Sequence, residues 1–304
     1  MLREGKTLLV VNPAAKRGHG AEAGRHVLRS LRGELGVHAI DVANTYRPKH
    51  AVALAADAAG YRNVIALGGD GVIHEVVNGL MKIPEADRPA FGVVPVGSGN
   101  DYARSLGMPF SPDAAVSALM DAPERAVDVG CCNGEYFDET LSFGLDAGVA
   151  LGTVAWRKRL HISGAPLYLA SGIDQMLFHL DAYRFTLQID ADEPREGDMV
   201  MLAVQIGQTY GGGFRICPQA QLDDGLFDIC YASPVKTLRA VRVFLSAKNA
   251  HHVNAPEVHF ARAGHIRLSF DAPPPVQIDG EPLVAESFDI RMHHRALRVL
   301  APGA

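Results

Sequence analysis

Three short segments of the sequence gather residues suited to holding phosphate. They are Asn12-Pro13 with Lys16 and Arg17 close behind, Gly68-Gly69-Asp70-Gly71, and Gly97-Ser98-Gly99-Asn100-Asp101. Glycine lets the backbone approach a ligand closely, and the free N–H groups at a helix start attract anions. Three such loops on one sheet edge point to a polyphosphate nucleotide. There is no GxxxxGKS or GxxxxGKT segment, so the grip is not that of a P-loop. No GxGxxG follows the first apolar run, which disfavours a standard dinucleotide fold. The Lys16-Arg17 pair either reaches the phosphates or lies in a solvated turn; residue types alone leave both open.

The elements that must carry these loops are legible in the apolar runs. TLLVV at 7–11, NVIAL at 63–67 and FGVVPV at 91–96 each run straight into one of the three segments. Continuous apolar runs of this length suit strands buried on both faces. Helical spacing follows at 21–31, 49–59 and from about His74 to Met81, with a further strand at 37–43. Strands alternating with helices predict a Rossmann-like, doubly wound parallel sheet, and ligands bind such sheets beyond the carboxyl ends of the strands. After Pro123 the pattern changes to short β-type runs, several of them alternating, across 126–150 and 182–300. Helices are expected around 153–179 and 235–248. The predicted organisation is an α/β nucleotide-binding domain at 1–125 and a mostly antiparallel, β-sandwich-like domain at 126–304, whose last residues can pack back on the first.

The chain has 304 residues, with 29 Lys and Arg against 34 Asp and Glu, a net charge of −5 that argues against a dedicated nucleic-acid partner. The excess is uneven: residues 1–125 hold 14 basic and 13 acidic residues, and 126–304 hold 15 and 21. The cysteines at 131, 132, 217 and 230 form no CxxC pair and suit buried thiols in a reducing compartment. No apolar run reaches the roughly 18–20 residues of a membrane span. A cytoplasmic protein is expected, with membrane contact limited to its surface.

GGDGVIHEVVNGL at 68–80 followed by PVGSGNDYARSLGMP at 95–109 resembles the diacylglycerol kinase catalytic family, which includes bacterial lipid kinases and sphingosine kinases. The resemblance continues through SFGLDAGVA at 142–150, GGGFRICPQAQLDDGLFDI at 211–229 and IDGEPL at 278–283. It implies a nucleotide domain and a β-sandwich-like domain with the active site in a cleft between them. It also implies ATP and Mg²⁺ as cofactors and a lipid alcohol as substrate. By position it places Asn12, Thr45, Gly68, Gly69, Gly71, Glu75, Ser98 and Asn100 around the nucleotide. Asp70 would organise the phosphates or Mg²⁺. Glu281 would be the general base on the lipid hydroxyl, the proton acceptor that phosphoryl transfer requires. Asp224, with the carbonyls of Gln221 and Leu226, matches a metal-binding segment, with Asp223 and Asp228 nearby. Asp146 would join the network or link the domains. Two positions depart from the family pattern: Val72 stands where it has Thr, and His74 where it has Asn.

A lipid substrate requires transient peripheral contact with a membrane. VKTLRAVRVFLSAK at 235–248 reads as a basic amphipathic helix, and Trp156 stands beside Arg157, Lys158 and Arg159. Either could meet a membrane or serve as an ordinary domain helix. Apolar residues at 165–178 suit an acyl pocket or plain core. A homodimer is compatible with the sequence. Two other readings remain: an NAD kinase-like enzyme, which shares GGDG, and a non-catalytic nucleotide or lipid sensor, which Val72 and His74 would suit.

Overall fold

The computed structural model describes Leu2, residues 4–160 and residues 165–302, without the side chains of Arg17, residues 154–160 and Ala165. The chain divides into two compact units, Met1–Val129 with Arg295–Ala304, and Gly130–His294.

The first unit is built on β1 (Thr7–Val11), β2 (Ile40–Asn44), β3 (Asn63–Gly68) and β4 (Ala90–Pro95), parallel in the order β2-β1-β3-β4. Every residue of β1, β3 and β4 is buried, as strands covered on both faces require. The cover comes from α1 (His19–Leu35), α2 (His50–Ala56), α3 (Asp70–Leu80), α4 (Asp101–Ser105) and α5 (Pro112–Asp121), with α1 against α5 and α2 against α3. The α2–α3 contact is close because Gly79 has no side chain: a Cβ there would lie 2.4 Å from the Val52 carbonyl oxygen. Ser111 starts α5 by accepting the Ala114 amide at 3.2 Å, with Pro112 in the first turn. The segment at 37–43 is strand only from Ile40, after a 3₁₀ turn at Val37–Ala39. Strand β5 (Glu124–Cys132) follows, and its Asp128 carboxylate accepts the Arg295 amide at 2.7 Å.

The second unit is a sandwich. Its elements are β6 (Glu135–Phe137), β7 (Thr140–Gly144), α6 (Leu145–Leu160), α7 (Ala165–Phe178), β8 (Tyr183–Ile189), β9 (Arg195–Met199), β10 (Met201–Gln205), β11 (Phe227–Ala232), α8 (Thr237–Ala247), β12 (Val258–Ala263), β13 (His265–Phe270), β14 (Val276–Ile278), β15 (Glu281–Pro282) and the part of β16 (Ser287–Leu300) up to His294. One antiparallel sheet has the order β12-β11-β10-β7-β14-β15; the other contains β16-β13-β8-β9. Their inner faces share a core in which Phe143 meets Phe288 edge-on at 4.8 Å and Phe137 stacks on Phe227 at 5.6 Å. The fold is thus α/β in its parallel part and antiparallel in its second, as the alternation predicts. One boundary differs: the helix expected from about 153 begins at Leu145, directly at the end of β7. The Trp156–Arg159 segment lies on this helix, but its side chains are outside the described part.

Candidate active site

The parallel strands of the first unit end together. The Asn12 amide bonds the Leu67 carbonyl at 3.0 Å, the Val96 amide bonds Gly68 at 2.7 Å, and the Thr45 amide bonds Val11 at 2.9 Å. Asn12, Thr45, Gly68 and the 97–100 loop therefore share one edge. Gly69 and Gly97 meet backbone to backbone: a Cβ on Gly97 would lie 2.5 Å from the Gly69 Cα. Side chains at either position would push the two loops apart, and the start of α3 at Asp70 suits phosphate oxygens.

Asp70 ties these loops. Its Oδ2 accepts the Asn100 amide and its Oδ1 the Asp101 amide, each at 2.8 Å. Asn100 is in the left-handed region at φ 54, and its side-chain oxygen accepts the Gly97 amide at 2.7 Å. Asp70 thus sets the shape of the second loop from the start of α3. Glu75, one turn on, uses both oxygens on α2, accepting the amides of Lys49 at 2.7 Å and Ala51 at 2.9 Å. Ser98 and Lys16 are exposed, and Asn12 accepts the Ala14 amide at 3.0 Å. The Arg17 side chain lies outside the described part. Val72 is buried with a methyl 2.3 Å from where a Gly68 Cβ would stand, and buried His74 lies 3.3 Å from the Asn78 amide nitrogen.

In the second unit the Asp279-Gly280-Glu281 turn is fixed from behind. The Asp279 carboxylate accepts three amides, from Asp138 at 3.0 Å, Glu139 at 3.1 Å and Thr140 at 2.9 Å. Asp279 and Gly280 both take positive φ, 47° and 89°. The Gly280 amide donates to Gln277 at 2.6 Å, and Gln277 in turn donates to Ser142 at 2.7 Å. Glu281 then stands exposed, and among the described residues no hydrogen bond or ion pair engages its carboxylate. The turn is rigid and its last acid is available.

The acidic loop differs. Asp224 Oδ1 accepts the Leu226 amide at 3.1 Å, and its other oxygen bonds Arg262, whose Nε lies 3.5 Å from Asp228. Gln221 is exposed. A cation on Asp224 with the Gln221 and Leu226 carbonyls would sit beside a guanidinium, so these donors as placed do not fit one. Burial raises the Asp228 carboxyl above its ordinary range, against the opposing pull of Arg262. Among the described residues no group of three His, Cys, Asp or Glu side chains could hold a metal ion.

The second unit also holds a partly open apolar pocket, lined among others by Val149, Tyr168, Tyr210, Ile216, Val243 and Phe244. Asp146 is its buried acid. Its Oδ1 accepts the hydroxyls of Tyr168, at 3.1 Å, and Tyr210, and burial pushes its carboxyl up to about 7.

Residues 6–132 match the family model of the diacylglycerol kinase catalytic domain, and residues 139–301 match that of the YegS C-terminal NAD kinase beta sandwich-like domain. A Chromohalobacter salexigens protein named "Probable lipid kinase YegS-like" is 32% identical over 267 residues, 87% of this chain and 85% of its own length. The chain belongs to the diacylglycerol kinase catalytic family of lipid kinases. The kinase is also similar to a Bacillus subtilis protein named "Diacylglycerol kinase", 29% identical over 219 residues, covering 72% of this chain and 70% of that one. A crystal structure of a diacylglycerol kinase from Bacillus anthracis str. Sterne shares its fold, with a TM-score of 0.81 at 21% identity over 97% of this chain and 96% of that one. No described helix of the kinase is long and apolar enough to cross a membrane.

Several site residues carried no sequence signal of their own. Tyr168 and Tyr210 stand 22 and 64 positions from Asp146, and only the packing of α7 brings the first to it. The Gln277–Ser142 bond joins neighbouring strands that a single sequence does not pair.

Proposed function

We propose that the chain transfers the γ-phosphate of ATP to the hydroxyl of a lipid alcohol of the diacylglycerol type, with Mg²⁺, and that Glu281 is the general base. The observation that carries this reading is the availability of Glu281 on a turn held by three backbone amides. A base must be positioned without being consumed by other partners. ATP would supply the phosphoryl group, and Mg²⁺ would offset the charge on its phosphates. The amides of Gly68 to Gly71 and of Ser98 and Gly99 would hold the phosphates, with Asp70 and Asn100 keeping that cradle in shape and Asn12, Thr45 and Lys16 at its border. Glu281 would take the hydroxyl proton. The apolar pocket supports an acyl-chain substrate, since pockets for such ligands are mostly apolar with few polar groups. Exposed Leu238 and Leu245 on α8, alongside Arg239 and Arg242, support peripheral contact with a membrane.

The test is purified protein with ATP and Mg²⁺ against diacylglycerol, monoacylglycerol, sphingoid base, ceramide and NAD. Phosphorylation of a lipid alcohol is expected, with Glu281→Gln lowering kcat by about 10²–10⁴ while nucleotide affinity stays unchanged. Transfer to NAD alone, or full activity in Glu281→Gln, would overturn the reading.

A further inference from the structure

The loop at Asp223-Asp224-Gly225 carries the charge pattern of a cation site, yet a cation is already built into it. Asp228 on β11 lies directly opposite Arg262 on β12. The guanidinium reaches both acids, with Nη2 on Asp224 Oδ2 and Nε 3.5 Å from Asp228 Oδ1. The remaining oxygen of Asp224 closes the turn on the Leu226 amide, across Gly225 at φ 80°. We propose that Arg262 is the resident cation of this loop and does there the work a divalent ion would do, so that the turn holds its shape without a metal.

Register makes this arrangement a property of the fold and not of one rotamer. Phe227 pairs with Ala263 and Ile229 with Ala261 on the face turned to the core, where Phe227, Ile229 and Ala263 are wholly buried. A slip of one residue would turn those side chains outward, so the pairing is strongly specified. Its alternate face then puts Arg262 beside Asp228. A guanidinium presents a planar fork of donors and does not lose its proton, which suits it to bridge two carboxylates permanently. A divalent ion on the same Asp224 oxygen would face that charge at close range. Asp228 Oδ2 is buried and makes no hydrogen bond, and the Arg262 guanidinium is the group placed against both acids. Removing the guanidinium should therefore make the loop a site for a divalent ion. This inference is independent of the lipid-kinase reading, and its readout is not activity.

The experiment is thermal unfolding of metal-stripped protein without nucleotide, in EDTA and in millimolar Mg²⁺ or Ca²⁺, for the wild type, Asp224→Asn, Arg262→Leu and Arg262→Lys. The quantity read is the part of any ion-induced Tm shift that Asp224→Asn removes. It should be zero in the wild type. Arg262→Leu should melt roughly 2–6 °C lower in EDTA and recover on adding either ion. Arg262→Lys keeps the charge and should stay indifferent to ions. An Asp224-dependent ion shift in the wild type would overturn the proposal, and so would an Arg262→Leu variant that neither loses stability nor responds to ions. If Arg262→Leu does not fold, the wild type compared with Asp224→Asn decides the matter alone.

Discussion

Replacing Asp146 with asparagine should raise stability relative to wild type progressively as pH rises from about 4 to about 7, with the full gain at alkaline pH. Asp146 is buried, and its carboxyl is raised from 3.8 to about 7. Between those values the folded chain keeps a proton that the unfolded chain releases. The contribution to stability is therefore fully present below about pH 4 and is lost as pH rises through about 7. The displacement corresponds to about 4 kcal/mol, the cost of ionising this group inside the fold. Asparagine is never charged, and its oxygen can still accept the hydroxyls of Tyr168 and Tyr210. Any cost of burying its NH₂ group is the same at both pH values and cancels in the comparison. For a chain this long, 1 kcal/mol moves Tm by about 2 °C. By pH 5 the unfolded carboxyl is already mostly ionised, so about 2.6 kcal/mol of this is lost between pH 5 and pH 8, and the Tm of Asp146→Asn relative to wild type should rise by roughly 5 °C over that range. The assay is calorimetry or dye-monitored melting of both proteins across that range. A difference that does not vary with pH would show that Asp146 is ionised at no unusual cost, and would refute the argument from burial.

Other substitutions test the remaining parts of the site. Gly97→Ala forces a Cβ to within 2.5 Å of Gly69 Cα; it should cost about 1–3 kcal/mol and weaken nucleotide binding by at least about tenfold, read by calorimetric titration. Asp279→Ala orphans three amides and should cost about 3–5 kcal/mol in urea denaturation. Glu75→Ala removes the acceptor for two amides of α2 and should cost about 1–2 kcal/mol, with hydrogen exchange rising first at residues 49–52.

What the sequence made legible was whatever local pattern dictates. Apolar runs ending in glycine marked β1, β3 and β4 and the loops beyond them, because buried parallel strands and phosphate loops both constrain residue type strongly. The DGE turn was legible only through its resemblance to the family's motif, since an exposed acid after Asp-Gly looks like any turn. Pairings between distant strands were not legible. Nothing near Asp224 indicates Arg262, which is 38 positions away and meets it only through the β11–β12 register. The start of α6 was hidden because LDAGVALG lacks a polar face and reads equally as strand. The use of Asp70 and Glu75 on backbone amides was also invisible, since a carboxylate aimed at a ligand and one aimed at a helix start look the same in one dimension.

Those two carboxylates bear on how this kinase can diverge. Asp70 and Glu75 leave the first turns of α3 in different directions, one fastening the 97–101 loop and the other the start of α2. The two departures from the family pattern, Val72 and His74, lie between them and are buried by packing. Geometry enforced by the flanking pair leaves the intervening positions free to drift among residues that fill the same space. Sequence change in α3 should accordingly accumulate at 72 and 74 before it reaches either acid, and a substitution at 70 should be harder to compensate than any change between the two.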